Sequence, residues 1–175
     1  VATTLILAFL TLCPLAAAQD GIKWEKDLES ALARSKAEKR PLLISMHTST
    51  EVACQRMLTK IYAIPEVQAR LAEFVLLPTC FDKHAEEKVT IEGVETMVSP
   101  LFKTVGCDAL MKNEQEVREH FFDKAEVKVP QHVFVDPDGN IYMTMLDARQ
   151  KAASPDLHNL ALVMYGGQAS EGFEE

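Results

Sequence analysis

The cysteines are the residues of this sequence best suited to chemistry. There are four, Cys13, Cys54, Cys80 and Cys107. A thiolate is a strong nucleophile, a ligand for soft metal ions and one half of a disulfide. No two of these cysteines are separated by only two residues. The sequence therefore contains no intact dithiol motif, and any paired cysteine chemistry depends on the fold.

The N-terminal residues predict where this chemistry takes place. Residues 1–15 are mostly apolar and are followed by Ala16, Ala17 and Ala18. This pattern is typical of a secretory signal peptide, here residues 1–18 with cleavage after Ala18. A retained anchor helix and a lipid anchor at Cys13 are alternatives. We expect a secreted or periplasmic protein with no stable membrane span after cleavage, since the apolar stretch is short.

Export would leave three cysteines in an oxidising compartment, which indicates one disulfide and a free thiol, or three thiols. Cys80 and Cys107 are the candidate disulfide, which would contribute about 3 kcal/mol by closing the loop between them. A Cys/His metal-binding domain is an alternative, because Cys80 and His84 are four residues apart and His47, Cys54 and Cys107 could converge on them. We predict no resident metal and no other cofactor.

Length and charge limit the class of protein. The 175 residues suit one domain, predicted at 19–165, with a flexible acidic tail at 166–175. The net charge of −8 would be repelled by a phosphate backbone, so we expect no nucleic acid partner. The hydrophobic content of 47% favours a folded core.

The hydrophobic patterns predict alternating helices and strands. The first half contains a helix at about 24–38, a strand at 41–47, a helix with Met57, Leu58 and Ile61 on one face, a short helix from Pro65 and a strand from Phe74 towards Cys80. An insertion follows at about 82–112, with helix near Leu101–Val105. The second half contains a helix from Asn113 to about Phe122 with Glu116 at capping-box spacing, strands at 132–136 and 141–146 joined by a turn at 137–140, and a last helix from Ser154. This order mixes parallel and antiparallel strand pairs.

Four local segments make the chain resemble the thioredoxin-like superfamily, in its secreted branch that begins with a helix. They are Trp24 with the helix at 31–39 and the strand at 40–44, Cys54-Gln55-Arg56-Met57, Pro65-Glu66-Val67 followed by Phe74-Val75, and Val129-Pro130 before the hairpin at 131–139. The resemblance implies a three-layer α/β/α sandwich with a mixed four-stranded central sheet. It also implies that Val129-Pro130 is a cis-proline loop.

The family's Cys-x-x-Cys motif is degenerate in this sequence. The four positions read Glu51-Val52-Ala53-Cys54, and Thr50 stands where the family has Trp. The resemblance implies that Cys54 is the second, partly buried cysteine and that the exposed nucleophile is missing. The charge of Glu51 should also raise the pKa of Cys54.

We therefore predict a non-enzymatic module that binds a polypeptide or protein partner at Glu51, Cys54, Val129 and Pro130. The alternative is an atypical thiol-disulfide oxidoreductase, in which the catalytic Cys54 acts alone or with Cys80 or Cys107. His132, next to the proline loop, is expected to be a surface or capping histidine.

Overall fold

The computed structural model describes residues 22–144. The predicted signal peptide with Cys13, the helix predicted from Ser154 and the acidic tail lie outside these residues. Among residues 22–144, no helix combines the length and the apolar character that crossing a bilayer requires.

The described residues form helices and strands in an alternating order. They are α1 (Leu28–Glu38), β1 (Leu42–His47), α2 (Val52–Arg56), a π-helical turn (Met57–Ile61), α3 (Pro65–Leu71), β2 (Val75–Cys80), β3 (Glu87–Ile91), β4 (Val94–Val98), α4 (Cys107–Phe121), β5 (Gln131–Val135) and β6 (Ile141–Thr144).

The central sheet has the strand order β2-β1-β5-β6. β1 is parallel to β2 and antiparallel to β5, and β5 is antiparallel to β6. Every residue of β1 and β2 is buried, as expected for strands with helices on both faces. The mixed four-stranded sheet is thus confirmed, and its β1–β2 register places His47 opposite Cys80. The carboxyl ends of β1 and β2 therefore meet at one edge of the sheet.

The two faces of the sheet pack against different helices. Leu43 lies in a cluster with residues of the π-helical turn and α3, whereas Leu42 and Ile44 lie in a second cluster with residues of α1 and α4. This split follows from the alternation of side chains along a strand. Each large apolar side chain buried in this way contributes about 1.5–3 kcal/mol. The three-layer α/β/α arrangement is confirmed.

The first helix begins later than its pattern predicts. The Asp27 side chain accepts a hydrogen bond from the Ser30 N–H at 2.7 Å and caps α1, which starts at Leu28. Trp24 instead forms a parallel bridge with Leu76 at the side of β2. The predicted start at residue 24 was wrong because Trp24 fits the helical spacing although it precedes the cap.

The insertion contains strands where the sequence predicted helix. β3 and β4 form an antiparallel hairpin closed by Glu92 and Gly93, both with positive φ. No helix forms at Leu101–Val105, and α4 begins at Cys107 rather than Asn113. Asn113 does not cap the helix: it is buried within α4, and its amide group donates to backbone oxygens. Charged residues in β3 and β4 weaken the alternation of polar and apolar residues that identifies a strand. The sequence therefore did not predict these two strands.

Candidate functional site

Three segments meet at the edge of the sheet where β1 ends. The loop at 48–51 follows β1, the loop at 81–84 follows β2, and residues 126–130 lead into β5. Because Gln131 pairs with Met46, Pro130 lies next to the end of β1. The Val129-Pro130 peptide bond is cis, as the resemblance implied.

Cys54 lies inside α2 and is shielded from solvent. Its residue exposure is 0%, so it is more deeply buried than predicted. The Sγ atom accepts hydrogen bonds from the N–H of Thr48 at 3.4 Å and from the Thr48 hydroxyl at 3.9 Å. Burial raises the pKa of the Cys54 thiol, and the negative charges of Glu51 and Asp82 add to this effect. Cys54 is therefore a protonated, inaccessible thiol at neutral pH.

Glu51 occupies the position of the family's exposed nucleophilic cysteine, and this position faces solvent. Glu51 is the N-cap residue of α2 and is exposed. Its N–H donates to the Thr48 hydroxyl at 3.3 Å, which fixes the turn. Val52, the next residue, is 76% exposed although it is apolar. The start of α2 thus presents a carboxylate and an apolar side chain to solvent.

The backbone of Val129 is a second exposed feature of this edge. Within residues 22–144, neither the N–H nor the C=O of Val129 takes part in a hydrogen bond. The Val129 side chain packs against the core, and both Val129 and Pro130 are half-buried. Since the side chain is held by the core, the unpaired peptide groups of Val129 have a fixed position.

A buried polar network lies beneath this edge. The Ser45 hydroxyl is 2.6 Å from Nε2 of His47 and 2.5 Å from the Tyr62 hydroxyl, which is 2.5 Å from Nε2 of His132. Burial lowers the pKa of His132 to about 3. Burial and the neighbouring His132 hold the pKa of His47 well below its usual range. Both histidines are neutral at pH 7.

The prediction that His132 lies at the surface was wrong. β5 pairs with β1 so that His132 is opposite Ser45 inside the sheet, where it is fully buried. The sequence does contain a signal for the network, because Ser45 and His47 interrupt an otherwise apolar strand at a spacing of two. That spacing places both side chains on one face.

Four potential ligands lie close together beyond the end of β2: Cys80, Asp82, His84 and Cys107, here called the Cys80 cluster. Nδ1 of His84 lies 3.8 Å from Sγ of Cys80 and 3.7 Å from Sγ of Cys107. Sγ of Cys80 lies 3.2 Å from Oδ1 of Asp82. Burial raises the pKa of Cys80 to about 12, and the Asp82 carboxylate and Cys107 also contribute. Cys80 and Cys107 are free thiols in this structure, each with its Sγ near Nδ1 of the His84 imidazole, and the disulfide predicted between them stays a prediction.

The Asp82 carboxylate connects this cluster with the first loop. Oδ1 accepts from the Ser49 N–H at 2.7 Å, and Oδ2 accepts from the Ser49 hydroxyl. Although partial burial opposes it, these hydrogen bonds hold the pKa of Asp82 below its usual value. Asp82 is therefore an ionised group between the two loops.

The metal alternative is only partly matched by the structure. The structure brings Cys80, His84 and Cys107 together, as a metal site there would require. His47 instead bonds to Ser45, and Cys54 accepts from Thr48. Asp82 was missed, although its position between Cys80 and His84 in the sequence was a signal for a third ligand. Single ligand atoms of Cys80, Asp82 and His84 all lie within 4.8 Å of one another.

Comparison with a family model agrees with this fold. The model of a family described as thioredoxin-like matches residues 23–137. No curated protein matches the chain. Similar solved structures include a DsbH oxidoreductase, with 19% identity over 79% of this chain and 80% of that one and a TM-score of 0.49. A thioredoxin from Thermus thermophilus has 21% identity over 89% and 97% of the two chains and a TM-score of 0.47. A disulphide isomerase from Xylella fastidiosa Temecula1 has 17% identity over 80% and 87% and a TM-score of 0.43.

The family match runs from the residue before Trp24 through β5 and thus includes the α2 start and the proline loop. It covers more than half of the chain. This protein belongs to the thioredoxin-like family.

Proposed function

We propose that this protein is an exported thioredoxin-like domain that binds extended polypeptide segments and does not catalyse dithiol exchange. The binding site is a surface formed by Glu51, Val129 and Pro130 above the buried Cys54, here called the peptide groove, with Val52 at its rim. The observation that carries the proposal is the unpaired backbone of Val129 beside the end of β1. The location follows from the signal peptide predicted at 1–18.

The Val129 backbone provides directional recognition. An unpaired N–H and C=O on one residue are a donor and an acceptor that an extended peptide can pair with, as an added strand does at a sheet edge. Peptide groups that lose water without gaining a partner are costly. A segment that pairs with both groups of Val129 removes this cost, whereas a folded surface without an extended strand does not.

The start of α2 provides an apolar contact and a charge. Covering the exposed Val52 side chain with an apolar residue of the peptide would contribute about 1.5 kcal/mol. The exposed carboxylate of Glu51 favours basic over acidic residues in the bound segment. We therefore expect ligands that are extended and apolar, with a neighbouring Lys or Arg.

The thiol arrangement argues against dithiol chemistry in the groove. Exchange needs an accessible thiolate that attacks a disulfide and a second thiol that resolves the product. Cys54 is the only cysteine of the groove, and its thiol is buried and has a raised pKa. Cys80 is the last residue of β2, and burial raises the pKa of its thiol to about 12.

Binding is tested with a permanently unfolded, carboxymethylated polypeptide that contains no disulfides. Its affinity for the full chain is measured by fluorescence anisotropy for wild type, for Val52→Asp and for the matched control Val94→Asp. Val94 is 63% exposed and lies on the β3–β4 hairpin, which forms a sheet separate from the central one. We expect Val52→Asp to weaken binding by about tenfold, as the loss of an apolar contact implies, and Val94→Asp to leave it unchanged.

A second readout locates the bound polypeptide on the protein. Amide resonances of Val52 and Val129 should shift on titration more than those of β3 and β4. Equal loss of affinity in both variants, or shifts confined to the hairpin, would contradict the groove. Reduction of a disulfide substrate by the wild-type protein would contradict the non-enzymatic assignment.

A further inference from the structure

The Cys80 cluster lies outside the peptide groove and has no role in the function proposed above. Two cysteines, one histidine and one aspartate meet there within hydrogen-bonding distances. Cys80 and Cys107 are buried, whereas Asp82 and His84 are partly exposed and leave a path from solvent. Thiolate sulfur, imidazole nitrogen and carboxylate oxygen are the three ligand types that zinc takes in proteins.

We propose that Cys80, Asp82, His84 and Cys107 bind one divalent cation of the zinc class. The ligands come from the end of β2, from the loop before β3 and from the first residue of α4. A cation there would tie the β3–β4 hairpin and α4 to the central sheet.

The distances suit a tetrahedral site. Bonds of about 2.3 Å to sulfur and about 2.0 Å to nitrogen place the two ligand atoms about 3.5 Å apart in a tetrahedron. The measured separations from Nδ1 of His84 are 3.8 Å to Cys80 and 3.7 Å to Cys107. The 3.2 Å between Cys80 and Asp82 is also close to this value. Ligand atoms of Cys80, Asp82 and His84 already lie within 4.8 Å of one another, and Cys107 joins this group through its contact with His84.

A neighbouring hydroxyl supports the histidine in the required tautomer. Nε2 of His84 lies 2.6 Å from the Ser99 hydroxyl oxygen, which also accepts from the Leu101 N–H at 3.2 Å. When Nε2 donates to Ser99, the lone pair of Nδ1 is free to bind a cation. Without a cation, Nδ1 can instead donate to the Asp82 carbonyl oxygen, 3.0 Å away. Metal-bound histidines typically donate their second nitrogen to such a partner.

The other ligands have supporting hydrogen bonds of the same kind. Ser49 donates through its N–H and its hydroxyl to the Asp82 carboxylate. The His84 N–H donates to Sγ of Cys107 at 3.3 Å, which stabilises negative charge on that sulfur. Cys107 also begins α4, where the helix dipole favours an anion.

The charges of these side chains are compatible with a divalent cation. With both thiols protonated, the Asp82 carboxylate carries the negative charge of the cluster. A divalent cation that displaces the two thiol protons would face three negative charges, of which it offsets two. A thiol that acts in exchange should instead be exposed and easily ionised, whereas Cys80 and Cys107 are buried.

The test is a Co²⁺ titration of the full chain, reduced, freed of metal and kept without oxygen. Tetrahedral Co²⁺ with thiolate ligands gives a near-ultraviolet charge-transfer band and strong visible bands, and added Zn²⁺ should remove them. We expect saturation at one equivalent. His84→Asn should weaken binding by more than about 100-fold and Ser99→Ala by about 10-fold, as for a ligand and for its support.

The control and the contrary outcomes separate this site from adventitious binding. The matched control is His120→Asn, an exposed histidine of α4, which should bind as wild type does. Cys107→Ser should remove the charge-transfer intensity of one thiolate, and circular dichroism checks that each variant is folded. The proposal is overturned if no charge-transfer band appears, if His84→Asn and His120→Asn bind equally well, or if Cys80 and Cys107 form a disulfide in air despite saturating Zn²⁺.

Discussion

Two cysteine regions lie side by side at one edge of the sheet, and they differ in which group stands at the start of a helix. In the first, the acidic residue Glu51 is the N-cap residue of α2, without a side-chain capping hydrogen bond, and the thiol of Cys54 lies inside the helix. In the second, the thiol of Cys107 begins α4, and the carboxylate of Asp82 lies in the preceding part of the chain. One region has a single isolated thiol, whereas the other has two thiols directed at one imidazole.

The fold alone does not determine the chemistry of a thioredoxin-like domain. A helix N-terminus favours negative charge whichever group carries it. A thiol at the first turn of α2 would be stabilised as a thiolate and exposed for attack. With Glu51 there, the same backbone presents a permanent anion that cannot form a bond to sulfur. The fold provides the position, and under the function proposed above the side chain at residue 51 decides between exchange and binding.

Restoring the missing thiol should have the largest effect on activity. Glu51→Cys places a thiol at the exposed helix start, three residues before Cys54. In exchange, the introduced thiol attacks a substrate disulfide, and Cys54 then displaces the reduced substrate as an internal disulfide forms. We expect reduction of a disulfide substrate, with dithiothreitol as electron donor, at least about tenfold faster than with wild type, because the helix start stabilises the thiolate.

The matched control is Val52→Cys, which adds an exposed thiol at the neighbouring position with the wrong spacing. It should remain close to the wild-type rate. If Glu51→Cys is as inactive as Val52→Cys although both thiols react with an alkylating reagent, the missing cysteine is not what separates this chain from an oxidoreductase.

A second prediction concerns the reactivity of the isolated thiol. In the folded protein at pH 7, Cys54 should react with iodoacetamide about 100-fold more slowly than in urea, because each unit of raised pKa reduces the thiolate fraction about tenfold and burial adds to this. Mass-mapped alkylation over time measures the rate. A folded-state rate within a few-fold of the unfolded one would mean that Cys54 is an accessible thiol.

The sequence predicted the sheet and the proline loop better than the surroundings of the cysteines. β1, β2 and β5 are short apolar runs whose burial on both faces determines their structure. The degenerate motif was also readable, because Glu51 and Cys54 are neighbours along the chain. These features depend on local sequence.

The Cys80 cluster depends on long-range packing and was only partly predictable. Cys107 approaches His84 because α4 begins six residues before the apparent cap at Asn113. That start was hidden because Gly106, the N-cap residue, makes no side-chain cap. The position of His132 was missed for a similar reason, since only its pairing with Ser45 across the sheet shows that it is buried.

A third prediction concerns the network that lies between the two regions. His47 is opposite Cys80, and its carbonyl oxygen accepts from the Phe81 N–H at 3.0 Å. The pKa values of His47 and His132 are lower in the folded state than in the unfolded chain, so the unfolded chain binds more protons below about pH 6.5. Stability is therefore fully present above that pH and decreases as the pH falls from about 6.5 towards about 3.

Each of the two histidines should contribute a slope of about 1.4 kcal/mol per pH unit, or tenfold in the unfolding equilibrium. Urea unfolding between pH 6.5 and 5 measures the slope before most carboxylates titrate. His132→Gln, which keeps an acceptor for Tyr62 but does not titrate, should remove about half of it. His120→Gln, at an exposed position, should leave the slope unchanged. An unchanged slope in His132→Gln would show that His132 is protonated within the fold.

The smallest expected effect tests the electrostatic connection between the two regions. The Asp82 carboxylate accepts a hydrogen bond from Ser49 of the loop at 48–51 and contacts Cys80 at the end of β2. Its negative charge helps to raise the pKa of Cys54. Asp82→Asn keeps an acceptor but removes the charge. With chelator present, we expect Cys54 to be alkylated about two- to threefold faster, which corresponds to a charge interaction of less than about 1 kcal/mol. The substitution leaves the Cys54 thiol buried, so the change in its alkylation rate stays small.

Glu51→Gln is the matched comparison, because Glu51 also raises the pKa of Cys54 and lies on the same helix. Its effect should equal or exceed that of Asp82→Asn. Because charge interactions through partly exposed space are screened by salt, both accelerations should shrink as ionic strength rises. The contrary result is an Asp82→Asn variant in which Cys54 is alkylated far faster than in Glu51→Gln, with no effect of salt. In that case Asp82 acts by holding the loop at 48–51 closed over the thiol. The two regions would then be coupled through structure rather than through charge.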